Sequence, residues 1–165
     1  NVKIPISNND TFEGLSQKLA VLGASLLIKI IPGYISGEIK PVEQDHDKAT
    51  YTKIIKKEDG RINWTKSAIE IERMTRAYYP WPIAWTIWNG KILKVLEVDI
   101  LEDKNDRPIG EVFLVDCFTS VQRCIVVKCG KGVLVVKKLQ LEGGKILSAK
   151  EFLNGHRDFV GSVLK

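Results

Sequence analysis

Cysteine is scarce in this chain of 165 residues, and no leader, anchor or metal motif is evident in it. Cys117, Cys124 and Cys129 are odd in number and contain no Cys-x-x-Cys pair. That pattern fits buried free thiols in a reduced cytoplasm better than a disulfide framework or a zinc site. No uninterrupted apolar run reaches the ~18 residues that span a bilayer. The longest, Leu19 to Ile31, is too short and holds Lys29. No basic-then-apolar leader opens the chain, so neither secretion nor a membrane partner is expected. Catalytic motifs are equally sparse. Gly143-Gly144-Lys145 lacks the spacing and the following Ser or Thr of a phosphate loop. His46, between Asp45 and Asp47, has no second ligand cluster and reads as a solvated linker. Asn154-Gly155-His156, with Asp158 nearby, has the residue types of an acid–base group, but reads as a polar tail on the surface. No nucleophile–base pair and no metal site can be assigned.

What is present is a globular composition, with 44% hydrophobic and 27% charged residues. The net charge is +5, and its distribution says more than its size. Residues 119–140 hold Arg123, Lys128, Lys131, Lys137 and Lys138 and no acid. Residues 97–111 hold six acids against Lys104 and Arg107. Segregation of this kind can give one face of a fold a positive potential.

The chain opens with "VKIPIS", read as a short strand whose Pro5 places it at an edge. Asp10 and Glu13 have the spacing of a capping box. Leu15, Leu19, Leu22, Leu26 and Ile30 then recur on one helical face until Pro32 and Gly33 interrupt it. One strand and one amphipathic helix cannot enclose a core. The leucine stripe is therefore expected to face another domain, a second copy, or the rest of the chain. Residues 40–60 are mostly polar and read as a connector, with Lys53, Lys56 and Lys57 in its second half.

Asp59-Gly60 is a turn, and Arg61-Ile62-Asn63-Trp64 alternates like a short strand with one buried face. From Trp64 a helix is expected, capped by Thr65 or by the Ser67–Glu70 box, that must stop before Pro80. Trp81, framed by Pro80 and Pro82, reads as a core plug, buried like Trp64 where this helix meets the strands beyond it; the rival reading is a stacking platform for a base. Asn89-Gly90 separates two strand-like runs, a strong hairpin signal. "GEVFLVD", "QRCIVVKCG" and "GVLVVKKLQL" continue the β pattern, and Ser148 with Glu151 boxes a closing helix. The fold class is thus mainly β with flanking helices, a small oligonucleotide-binding-like barrel. Read from the residues alone, that is a nucleic-acid-binding module, free-standing or attached to something larger.

The stretch "TYTKIIKKEDGRINWTKSAIEIERMTRAYYPWPIAW" resembles the linker and domain entry of the methionyl-tRNA formyltransferase family. "ISNNDTFEGLSQKLAVLGASLL" is similar to the last strand and helix of that family's catalytic domain, and "KLQLEGGKILSAKEFLNG" to its closing strand and helix. The resemblance implies three parts: residues 1–43 as the end of an α/β formyltransferase domain, 44–60 as a linker, and 61–165 as the C-terminal barrel. It implies an enzyme that moves a formyl group from 10-formyltetrahydrofolate to the amino group of initiator methionyl-tRNA, in the cytoplasm. The family's Asn-x-His and Asp would lie in the N-terminal catalytic domain, upstream of these residues. This chain alone is expected to be inactive, to hold no cofactor, and to self-associate only through its front helix. Sugar-nucleotide and folate-formyl enzymes share the connector and "DGRINW", so they remain alternatives. Lys53, Lys56, Lys57, Arg123, Lys128, Lys131, Lys137, Lys138 and Arg157 are the candidate tRNA-binding residues, read from charge placement.

Overall fold

A computed structural model of the chain describes residues 1–102, 106–116 and 123–165. Cys117, Asp103 and Lys104 lie outside the described residues. The chain divides into two compact units, Asn1–Ile55 and Lys56–Lys165.

The first unit is a helix with extended flanks. Helix α1 runs over Phe12–Ile35. Thr11, not Asp10, caps it, accepting from the Gly14 N–H, while Asp10 pairs with Lys18 at 2.5 Å. Pro32 does not interrupt the helix but sits inside its last turn. The backbone then folds back, and the Ile39 N–H donates to the Gly33 carbonyl at 2.9 Å. Residues 2–7 form no strand, which corrects the sequence reading: their backbone pairs with no partner strand among the described residues. The leucine stripe is also less covered than expected. None of the described residues of α1 is buried, and Leu19 is 47% exposed. By length and composition α1 could cross a membrane, because Lys18 and Lys29 do not cancel so many apolar neighbours. The expectation that no segment is long enough is corrected on that point. Core helices of soluble proteins pass the same test.

The second unit is built from local signals that agree. Ser67 caps helix α2, Ala68–Tyr78, with the reciprocal Glu70 bond of a capping box. Strands β1 (Ala84–Trp88) and β2 (Lys91–Leu101) form a hairpin across Asn89 and Gly90, both at positive φ. Strands β3 (Val112–Asp116), β4 (Arg123–Lys128), β5 (Val133–Leu141) and the short β6 (Leu147–Ser148) complete an antiparallel sheet. Its order is β1-β2-β5-β4-β3, with β6 on β5. Helix α3, Ala149–Gly155, starts at the Ser148–Glu151 box.

The last residues close this sheet. Val112 and the Ser162 carbonyl bond at 2.9 Å, Leu164 donates to Gly110 at 2.9 Å, and Ile87 donates to Lys165 at 3.2 Å. Residues 161–165 thus lie between β3 and β1, the two ends of the sheet path, and complete a barrel. Its interior takes the inward residues of each strand, among them Leu93, Val95, Ile125, Val127, Leu134 and Leu139. A smaller apolar cluster, Phe113, Val126 and Val133, packs on the opposite face.

Trp64 joins the lead-in to this core and is 4% exposed. Its indole N–H donates to Thr86 Oγ1 at 3.1 Å, and that hydroxyl donates to the Lys165 carbonyl at 2.9 Å. Thr86→Val keeps the shape and strands the buried indole N–H. A loss of ~1–3 kcal/mol is expected, read as a lower urea midpoint at an unchanged slope. An unchanged midpoint would show that the relay contributes nothing.

Candidate nucleic-acid interface

Antiparallel pairing decides what the basic residues can do. Strand β5 carries Lys137 and Lys138, and β2 carries Asp99 and Glu97 alongside, with Glu97 opposite Lys138 at an irregularity in the register. Lys137 Nζ lies 2.6 Å from Asp99, and Lys138 Nζ 2.7 Å from Glu97. The Glu97 carboxylate holds the Lys138 ammonium charged to higher pH than usual, chiefly by accepting its hydrogen bond. Arg123 faces Asp116 across β3 and β4 at 3.9 Å. The acidic and basic stretches that are separate in sequence are neighbours in the sheet. For these three residues the carboxylates alongside lower the positive potential that the segregated sequence suggested.

The remaining candidates are differently placed. Lys131 is exposed and Lys128 half-buried, on either side of the turn between β4 and β5. Lys56, Lys57 and Arg157 are exposed, and Lys53 is exposed in the first unit. Lys56, Lys57, Lys128, Lys131 and Arg157 make no ion pair among the described residues.

A groove forms where the lead-in crosses the outer face of β1, β2 and β5. After α2 the chain passes through two cis peptide bonds, Tyr79–Pro80 and Trp81–Pro82, and Ile83 adopts a φ of 68°. The Ile83 N–H donates back to the Tyr78 carbonyl at 2.9 Å. This corner holds Trp81 outward, 58% exposed. The expectation that Trp81 plugs the core is corrected: Pro82 beside it is buried, and the indole projects into the groove. The space is about 340 Å³, and Lys57, Trp85, Lys94 and Gln140 share its lining with Trp81.

Gly60 explains why the lead-in can lie there. A Cβ on it would fall 2.2 Å from the Ile83 carbonyl oxygen and 3.0 Å from the Trp85 ring. With no side chain in the way, Trp85 donates its indole N–H to the Lys57 carbonyl at 3.0 Å. The guanidinium of Arg61 sits 5.9 Å from the Trp85 ring centroid. Trp85 and Lys94 are register partners on adjacent strands, and Lys94 in turn pairs with Gln140. Sequence reasoning missed Trp85 and Lys94. The period-2 alternation of β1 and β2 could have found them, since it turns Ala84, Thr86, Leu93 and Val95 inward and their neighbours out.

Asn154, Gly155 and Asp158 are exposed, as a surface reading expects, whereas His156 is half-buried and packs on the aromatic cluster. The His156 ring lies 4.5 Å from Phe152 and 5.3 Å from Trp88 between centroids. Asp158 accepts from Asn89 at 3.2 Å. Phe159 and Leu164, further along, are buried. Cys129 is buried and free, and burial pushes its thiol up to about 12, so it is not a nucleophile at neutral pH. Cys124 is disulfide-bonded, which corrects the expectation of free thiols there.

The family described as formyl transferase, C-terminal domain, matches residues 54–157. Among curated proteins, the methionyl-tRNA formyltransferase of Streptococcus thermophilus (strain ATCC BAA-250 / LMG 18311) is 38% identical over 152 residues, covering 92% of this chain and 47% of that protein. The methionyl-tRNA formyltransferase of Caldicellulosiruptor saccharolyticus is 39% identical over 163 residues, covering 98% of this chain and 50% of that protein. The chain spans about half the length of the curated relatives it matches. Among solved structures, HypX from Aquifex aeolicus in complex with tetrahydrofolic acid superposes with a TM-score of 0.57 at 15% identity, covering 81% of this chain and 23% of that one. At that identity the likeness concerns the fold.

Proposed function

The chain belongs to the formyl transferase C-terminal domain family, and we propose that it is the tRNA-binding C-terminal part of a methionyl-tRNA formyltransferase. The observation that carries this reading is identity of 33–39% to proteins of that name over 92–99% of the chain, both units included. The whole enzyme would transfer a formyl group from 10-formyltetrahydrofolate to the amino group of initiator methionyl-tRNA in the cytoplasm. Its catalytic domain would lie upstream, with residues 1–43 as its end and 44–60 as the connector. These residues alone would transfer no formyl group in this reading, because the Asn-x-His and Asp that the resemblance implies would belong to the upstream domain.

Binding would run through phosphates. Lys53, Lys56, Lys57, Arg123, Lys128, Lys131, Lys137, Lys138 and Arg157 remain the proposed contacts, but not equally. Lys137, Lys138 and Arg123 would have to leave carboxylates first. The five cations that make no ion pair among the described residues, Lys56, Lys57, Lys128, Lys131 and Arg157, are the stronger contributors. Five phosphate contacts give log affinity against log salt a slope of roughly −3.5 to −4.5. The test is a titration of initiator tRNA at two salt concentrations, with Lys128→Glu/Lys131→Glu as the variant and a formyl-transfer assay alongside. A reduced slope and weaker binding in the variant are expected. Binding indifferent to salt and to charge reversal would reject the reading, and formyl transfer by the purified chain would reject the assignment of catalysis to an upstream domain.

A further inference from the structure

We propose that the groove under Trp81 is a stacking site for one unpaired nucleobase of an RNA, with the adjoining phosphate held by Lys57 and Lys94. The inference rests on the tRNA-binding reading and goes beyond it, because phosphate contacts alone require no groove and no exposed indole. Three observations carry it. First, Trp81 is a large apolar side chain left 58% exposed at a corner whose neighbour Pro82 is buried, so the ring is held outward by packed backbone. A flat ring presented this way stacks on any base, since every base has a π face. Second, the groove is about 340 Å³, within the range of clefts that hold small ligands, and Trp85 supplies a second aromatic wall. Third, the charge in the groove is unbalanced. Lys57 and Lys94 make no ion pair among the described residues. The one carboxylate in the lining, Glu142, accepts from the Ile92 N–H at 3.1 Å and pairs with neither lysine among the described residues, so the lining keeps a net positive charge. Two free ammonium groups beside an indole complement a base and its phosphate. A proline-rich peptide would use the indole but would leave both cations unmatched.

The test follows indole fluorescence of the whole chain as a short oligouridylate is added. Saturable quenching is expected, because a stacked base quenches the ring it covers. Trp81→Ala should weaken binding by about fivefold to 150-fold, whereas Trp81→Phe, which keeps a flat ring, should retain most of it. Lys94→Gln should weaken binding and make it less sensitive to salt. The side chain of Trp81 is exposed, so the variants should melt with the parent, and circular dichroism checks this. Equal oligouridylate affinity in Trp81→Ala and the parent would overturn the proposal. So would capture of a proline-rich peptide with no oligouridylate binding. Initiator tRNA distinguishes the two readings: if Trp81→Ala binds tRNA as the parent does, with the same salt slope, the stacking site is wrong and the tRNA reading stands. If the parent binds neither tRNA nor oligouridylate, both fall.

Discussion

Phe152→Ala is expected to lower the stability of the barrel unit by ~3–5 kcal/mol. The side chain is 1% exposed and is the centre of an aromatic cluster. Its ring lies 5.7 Å from Trp88, 5.1 Å from Phe159 and 4.5 Å from His156 between centroids, mostly edge to face. Such pairs add ~0.5–1.5 kcal/mol beyond the apolar area they bury. These neighbours come from β1 and from the residues after α3, so no single element can shift to refill the space. For a unit of this size the melting temperature should fall by more than about 12 °C. Phe152→Leu, which leaves most of the volume, should lose clearly less. A drop of only a degree or two for the alanine variant would show that the cluster is loosely packed and that α3 is not anchored through it.

Gly130→Ala is expected to be comparably damaging for a different reason. The Gly130 N–H donates to both the Trp64 and Lys66 carbonyls at 2.9 Å, tying the turn after β4 to the lead-in. A Cβ there would stand 1.9 Å from the Thr65 carbonyl oxygen and 2.7 Å from its carbon. Both obstacles are backbone, so no rotamer change relieves the clash. The lead-in must move, and it carries buried Trp64 and the Ser67 cap of α2. Overpacking typically costs ~1–3 kcal/mol, and the loss of both hydrogen bonds adds to it. Gly155→Ala is the comparison, since nothing lies within 4 Å of its added Cβ. Chemical denaturation of the two variants side by side should separate them. Equal midpoints would show that the lead-in is free to drift from the turn.

The features legible in the sequence were those set by residues close together in the chain. Two of the three spaced capping boxes, Ser67 with Glu70 and Ser148 with Glu151, formed, because each needs only four consecutive residues in helical geometry, while Thr11 displaced Asp10 as the cap of α1. The Asn89-Gly90 hairpin formed because both residues tolerate positive φ. Arg61 to Trp64 alternates out and in as expected, yet makes only a single bridge to Trp85 in place of a strand. What was not legible depends on register. Nothing near Lys138 in the chain announces that Glu97 will lie opposite it, so the basic stretch looked unopposed. Trp81 misled for a related reason: proline framing fixes a corner, but which side of the corner meets the core is decided by the next strand. The packing of His156 depends on Trp88, far away in sequence, and composition could only suggest a polar tail.

The segment 161–165 has a consequence for solubility. A β-sheet that stops leaves rows of unpaired N–H and carbonyl groups at its two ends, and these recruit strands from other molecules. Here part of each end is covered by the same short stretch, which bonds to Gly110 and Val112 on one side and to Ile87 on the other. Val112 of β3 and Ile87 of β1 are thereby closed to pairing with a strand from another molecule, in a sheet whose strands are rich in valine and isoleucine. Five residues at the end of the chain thus act as a partial shield over the two ends of the sheet.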